Sequence, residues 1–526
     1  MKKNIKKSLP ILLFLCLIIF YFEYSVTILW DSAHYMSYVN ILERIVPLNT
    51  WDVVRGPTFP IIIFLGNILF GKTSQGLLMN TFIYYLIMLL FVYKILNYAF
   101  DNFNFSSKKK RNLSIVILLF IIINPIIFGF YHSLLTEFVA ITLSVLSCYL
   151  AVIWYDIEID KSKKNYIIIS IIFAFLTVFS WFLKQPYVSS GFFPFLISYI
   201  ISLFKKEGVK NIIYRTASLL FCIVCLVFSI KIWNSILIKI GTDPTTSRNP
   251  SVSLGNTLIS GLGFTQIDSS DEIKNIDYIK DDSKLSDEEK EDVLKLIKNN
   301  NGYVIINIYQ DEEIIASDYI ESKDGNNIST IDSITYIIKY FFKEPIQILD
   351  SYLTNYLSII DIYSTTSEDG VGYKSNKEIE LTFSNEISTI SFKPYYYGAD
   401  NIFYMLPEMR ERVNCYEQIN YTFKPINYAM IILGKVFLVI FKLSFILLPF
   451  ALITSIILRC RKKSTSKQKK NLNLIIILFG FSFLHMLLHT VTGAIIDRYA
   501  IPAFVTTLLG IILLLIYFKN KKNRDE

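Results

Sequence analysis

Apolar runs of about twenty residues recur along this chain, and they restrict its fold more than any other feature. "LPILLFLCLIIFYFEYSVTILW" begins at residue 9, "LLMNTFIYYLIMLLFVYKIL" at 77 and "LIIILFGFSFLHMLLHTV" at 474. A helix of ~20 residues crosses the ~30 Å hydrocarbon core of a bilayer, where every backbone N–H and C=O must be satisfied within the segment. Of the 526 residues, 53% are hydrophobic and 18% charged, against roughly a quarter charged in a soluble domain. The pattern predicts an all-α polytopic membrane protein with about ten spans. The first run follows "MKKNIKK". It is long for a signal peptide and no small-residue cleavage site follows it, so an uncleaved first span is expected.

The formal net charge of +8 is not spread as a nucleic-acid patch. It is gathered in short runs between spans: "KKNIKK", "KKKR" at 108–111, "KSKK" at 161–164, "KKEGVK" at 205–210, "RCRKKSTSKQKK" at 459–470 and "KNKKNR" near the end. Such runs mark the cytoplasmic side. They imply a plasma-membrane protein with both termini cytoplasmic and the bilayer, not nucleic acid, as its environment. Cys16, Cys148, Cys222 and Cys225 fall inside spans, Cys460 in a basic run, and only Cys415 outside, so no disulfide framework is implied.

Three regions follow. An N-terminal transmembrane module, 1–235, holds spans at 9–29, 77–99, 113–131, 134–154, 166–183, 188–204 and 213–235. Its first outer loop, 30–76, includes "FPIIIFLGNILFG", which is too short to cross. Residues 236–425 form a mixed extracytoplasmic insertion, acidic and solvated over 266–300. Its run "STIDSITYIIKYFFKEPIQILDSYLTNYLSIID" has the apolar spacing of a helix lying on the bundle or the interface. The C-terminal region, 426–526, adds spans within 426–458 and at 472–492 and 500–518.

This topology sorts charged residues by side. Asp31, Asp52, Arg55, Glu137, Lys184 and Arg498 fall at outer span ends. A carboxylate beside a span is costly unless it faces a cavity or a partner, which singles out Glu137. Lys and Arg are disfavoured outside, yet Arg55, Lys184 and Arg498 each sit beside Pro or Gly, in "RGP", "KQP" and "RYAIP". Acids and bases from five chain positions at one membrane face suit a lipid-linked phosphate. Arg holds phosphate oxygens bidentately and Lys acts as a point charge. A phosphate leaving in a glycosyl transfer gains negative charge that fixed cations stabilise, while an acid takes the proton of an acceptor hydroxyl.

In order and sidedness these motifs resemble the GT-C superfamily of membrane glycosyltransferases, which includes protein O-mannosyltransferases and aminoarabinose transferases. The matching elements are Asp31 in "WDSAHY", Arg55 in "RGPTFP", Glu137 in "LLTEF", Lys184 after the fifth span, and Arg498, Tyr499 and Pro502 in "RYAIP". The resemblance covers roughly 9–204 and, more loosely, 472–518. It departs from the family where Ser32, not a second acid, follows Asp31. It implies an inverting transfer from a polyprenyl-phosphate sugar to an acceptor hydroxyl of a glycan, lipid or protein. Asp31 would be the general base and Glu137 the acceptor-orienting acid. Arg55, Lys184 and Arg498 would contact the donor phosphate, with Asp52, Tyr35, His132 and Tyr499 as secondary candidates. A divalent cation, if one takes part, would sit on Asp31 and Glu137.

Two other classes remain open at this level. A polysaccharide polymerase of the O-antigen or capsule type would use Arg55-Gly56 together with Arg410 and Arg412 in "EMRERVN". A transporter would place ionisable residues at mid-bilayer depth within repeated halves, and no repeat is evident.

Overall fold

The computed structural model describes residues 14–24, 26, 32–45, 47–51, 55–204, 208–242, 254–255, 258, 264–266, 291, 302–308, 314–321, 330–343, 345–360, 428–461, 465–492 and 496–525. Asp31, Asp52, Arg410 and Arg412 therefore lie outside the described residues, as does most of 266–300.

The chain is a bundle of long apolar helices. In chain order these are α1 (14–22), α2 (Ser32–Leu42), α3 (Thr58–Phe70), α4 (Ser74–Asn102), α5 (Ser107–Ile122), α6 (Pro125–Tyr131) and α7 (Thr136–Asp156). They continue with α8 (Lys163–Leu183), α9 (Val188–Leu203) and α10 (Val209–Lys239). After the insertion come α13 (Tyr428–Cys460), α14 (Ser466–Val491) and α15 (Ile501–Asp525). Among the described residues, eight helices are long and apolar enough to cross a membrane, and up to nine if the bent pair α5–α6 counts as one span. Ten spans were expected; of the first, only α1 is described.

The insertion contributes α11 (Thr330–Lys343), α12 (Pro345–Ile359) and a small antiparallel sheet, β1 (Phe264–Gln266), β2 (Gly302–Ile308) and β3 (Ile314–Glu321), in the order β1-β2-β3. It begins later than 236, because α10 continues to Lys239. The "FPIIIFLGNILFG" segment is the short apolar helix α3, as its length requires.

The expected third span is not one rod. It breaks at Asn124–Pro125, and α5 and α6 meet at 65°. Pro125 has no N–H to continue the ladder, and the Asn124 side-chain oxygen accepts from the amides of Ile126 and Ile127, so a new helix starts there.

The centre of the bundle is built from α7, α14 and α15, whose spans are 72–78% buried within the protein, whereas α10 is only 11% buried and faces outward. Small residues permit the central contacts, as in other membrane bundles. Ser144 on α7 donates to Ser190 on α9 at 3.0 Å. A Cβ on Gly191 of α9 would lie 2.6 Å from the Leu176 carbonyl oxygen of α8, so only glycine allows those two backbones to approach as they do.

The ends of the bundle differ in chemistry. At one end the basic runs meet: Lys467 donates to Asn104, Lys210 to Asp160, and Lys470 reaches Asp156, which also accepts from Tyr98. Also at this end, Arg215 of α10 is buried against α7. Its guanidinium donates to the carbonyls of Trp154 (2.9 Å) and Tyr155 (3.0 Å) and lies over the Trp154 ring. Those carbonyls belong to the last turn of α7, which has no further intrahelical donors, and the cation complements the negative end of the helix. The candidate functional side chains gather at the opposite end.

Candidate functional site

Four sequence breaks bring the site together. Helix α7 opens at Thr136, which places Glu137 in its first turn, where the aligned amides favour a carboxylate. Helix α8 ends at Leu183. Lys184 is extended (φ −166°), Pro186 stops the helix from continuing, and a short turn, Gln185–Tyr187, leads into α9. Helix α14 ends at Val491, and a turn at Asp497–Ala500 carries Arg498 and Tyr499 into α15. The fourth break is "RGP". A Cβ on Gly56 would lie 2.1 Å from the Phe182 carbonyl oxygen, so this glycine lets the Arg55 loop press on the last turn of α8.

Glu137 is 1% exposed and Arg498 4%. The Glu137 Oε1 accepts from the Tyr187 hydroxyl at 2.8 Å and lies 3.6 Å from the Arg498 Nε, while Thr136 donates to Oε2 at 3.3 Å. The Lys184 ammonium, also buried, donates to the Tyr499 hydroxyl at 2.9 Å and lies 4.2 Å from that ring's centre. Arg498 in turn lies over Tyr499 at 5.5 Å. A Lys or Arg head on an aromatic face is held where water is scarce and a bound anion is felt strongly.

Arg55 reaches the same end by a second route. Its guanidinium sits over the Tyr35 ring at 5.4 Å, Tyr35 packs on Phe59, and Phe59 packs on Phe138, the neighbour of Glu137. The loop is pinned from behind, since the Trp51 indole donates to the Arg55 carbonyl and packs on Tyr38 and Trp233.

Of the residues expected from the sequence, Arg55, Glu137, Lys184, Arg498, Tyr35 and Tyr499 therefore share one end of the bundle. His132 has a bracing position: its two ring nitrogens lie 2.9 Å from the Phe128 and Tyr21 carbonyl oxygens, and the neutral ring donates to one of them. The ring is stacked on Phe128, tying α1 to α6. Burial lowers its pKa to about 4, against the raising effect of those two carbonyls. Asp31 and Asp52 lie outside the described residues.

Several members were not singled out by the sequence. Tyr187 joins Glu137. Two of the chain's four histidines, His485 and His489, stand one turn apart on α14, with ring centres 4.7 Å apart. His485 bonds the Tyr499 carbonyl through Nε2 at 2.8 Å and Ser189 through Nδ1 at 2.6 Å. A carbonyl only accepts, so Nε2 carries the proton, while Nδ1 faces the Ser189 hydroxyl, which also lies 2.8 Å from the Pro186 carbonyl. His489 stacks on Tyr499 at 5.1 Å. The signal was present in "HMLLH": ionisable side chains inside an apolar span, one helical turn apart. The insertion reaches this end too, since α12 packs on α14 and the Asn355 amide donates to the Thr490 carbonyl.

Glu137 does not suit a divalent cation. Its oxygens already accept from Tyr187 and Thr136, and the neighbouring charge is the Arg498 guanidinium, which would repel a metal ion. Among the described residues, no three His, Cys, Asp or Glu side chains gather as a ligand set. What the arrangement offers is an anion site: Arg55, Lys184 and Arg498 against the carboxylates Glu137 and Asp497, with aromatic rings behind the cations.

Comparisons of the chain with protein-family models, with curated proteins and with solved structures each find no match, so the functional reading rests on these side chains themselves.

Proposed function

We propose that this protein is an inverting glycosyltransferase of GT-C type, which moves a sugar from a polyprenyl-phosphate donor to an acceptor hydroxyl at the extracytoplasmic face. The observation that carries the reading is the meeting of Lys184, Arg498 and Glu137 with the Arg55 loop at the bundle end opposite the basic runs. On the positive-inside tendency that end is extracytoplasmic, at the depth where a lipid-linked phosphate has its charge.

In the reaction, the acceptor oxygen attacks the anomeric carbon from the face opposite the phosphate. As that bond forms, the bond from carbon to phosphate oxygen breaks, and its electron pair leaves on the phosphate. Arg55 and Lys184 stabilise the charge that accumulates there. Arg498 is shared between the phosphate and Glu137, so Glu137 acts mainly by positioning the guanidinium and, through Tyr187, the start of α9. The proton of the acceptor hydroxyl goes to a carboxylate, a role assigned to Asp31 on the family resemblance.

The test is turnover by the purified protein with a panel of polyprenyl-phosphate sugars, comparing wild type with Asp31→Asn and Lys184→Met. Product from at least one donor, reduced about a hundredfold or more by each change, is expected. Absence of product from every donor, with the protein folded, would refute the transferase reading. Normal turnover in Asp31→Asn would remove Asp31 as the base.

A further inference from the structure

His489 carries an inference that extends the reading of the anion site and rests on it. The ring is fully buried, and among the described residues neither Nδ1 nor Nε2 has a hydrogen-bond partner. His132 and His485 behave differently: each has a polar partner at both ring nitrogens. A buried polar group without a partner costs stability, and such groups are uncommon in folded proteins.

The surroundings of His489 show what would satisfy it. It stacks on Tyr499 at 5.1 Å, and Tyr499 also carries the Lys184 ammonium, 4.2 Å from its ring centre and 2.9 Å from its hydroxyl. Tyr187 faces both groups, 6.5 Å from the His489 ring and 5.9 Å from the Lys184 nitrogen. The neighbouring His485 is held by Ser189 and a backbone carbonyl and has no nitrogen to offer. His489 and Lys184 thus share Tyr499 and Tyr187 as neighbours, and an anion bridging them would meet an imidazole N–H that has no partner among the described residues. We infer that His489 is a ligand-binding residue that, with Lys184, donates a hydrogen bond to the phosphate of the bound donor.

The proposal makes two quantities move in opposite directions. His489→Phe keeps the stacked ring but removes both nitrogens, and His489→Gln keeps an N–H donor. Binding of two probes to the purified full chain in detergent, a short polyprenyl monophosphate and inorganic phosphate, is measured alongside melting of the protein without either probe. Expected for His489→Phe is about tenfold weaker binding, with a melting temperature raised by about 2–4 °C because the orphaned nitrogens are gone. Expected for His489→Gln is affinity intermediate between Phe and wild type. Binding of the lipid probe alone assigns the anion to the lipid headgroup. Binding of both probes with the same His489 dependence assigns the site to phosphate as such, and either result supports the proposal. Unchanged affinity in His489→Phe, with affinity lost in Lys184→Met, overturns the role of His489 and leaves the anion site standing. A lowered melting temperature in His489→Phe makes the histidine a structural partner and overturns the proposal as well. Failure of the wild type to bind either probe overturns the anion reading itself, and the inference with it.

Discussion

The Glu137 carboxylate and the Arg498 guanidinium, from opposite halves of the chain, lie 3.6 Å apart in the buried end of the bundle. Each explains how the other is tolerated there: a lone buried charge is far costlier than a paired one, and removing one partner typically costs about 3–5 kcal/mol. Glu137→Leu and Arg498→Leu should each lower unfolding stability in detergent on that scale. The double replacement should recover much of the loss while abolishing transfer. A double-mutant cycle by denaturant titration measures this, and additive losses would show that the pair does not interact.

At the other end of the bundle, Arg215 closes the last turn of α7 through the Trp154 and Tyr155 carbonyls. Arg215→Ala leaves two buried carbonyls without their donors and should cost about 3 kcal/mol. Arg215→Lys should recover only part, since one ammonium does not match two carbonyls as the planar guanidinium does. The site lies at the far end of α7, so KM for any donor should stay within about twofold of wild type in protein that remains folded. A large change in KM would mean that the two ends are coupled.

Most spans were legible because lipid leaves a hydrophobic segment few alternatives, and their order with the basic runs pointed to the bundle end where the candidate side chains gather. What stayed hidden depended on three-dimensional proximity. Arg498 stands beside Asp497 in sequence, yet its described ion pair is with Glu137 from α7. Arg215 reads as an ordinary basic residue near a span start until its contact with the end of α7 is seen. His485 and His489 were passed over in the sequence, because two polar rings in a long apolar run carry no sign of which neighbours meet them. The break at Asn124–Pro125 was written locally, in a capping residue followed by proline, and the uninterrupted hydropathy on either side masked it.

Gly56 gives a test of the Arg55 loop that removes no charged group. The 2.1 Å approach of a Cβ to the Phe182 carbonyl oxygen is not relieved by a side-chain rotation, because the obstacle is backbone. Gly56→Ala should therefore push the loop away from α8. Transfer activity should fall tenfold or more, since displacements of about 1 Å at a positioned group cost on the order of 10²-fold. The helical content by circular dichroism should be unchanged. Wild-type activity in Gly56→Ala would show that the placement of Arg55 against α8 does not matter to the reaction.

His132 supplies a pH dependence that belongs to the fold and not to the site. Burial lowers its pKa to about 4, from an unfolded value near 6.5. Between those values the unfolded chain binds a proton that the folded chain does not. Its contribution is therefore complete above about pH 6.5, declines as the pH falls towards 4, and changes no further below that. The loss at pH 4 is at most about 3 kcal/mol, at 1.36 kcal/mol for each pKa unit. His132→Gln removes the titration while keeping a donor for one of the two carbonyls. The difference in melting temperature between wild type and His132→Gln, measured in steps from pH 7.5 to 4, should shift against the wild type through that window. A difference that stays constant from pH 7.5 to 4 would show that His132 has the same proton affinity in the folded and unfolded chains, and that its two carbonyl bonds offset the cost of burial.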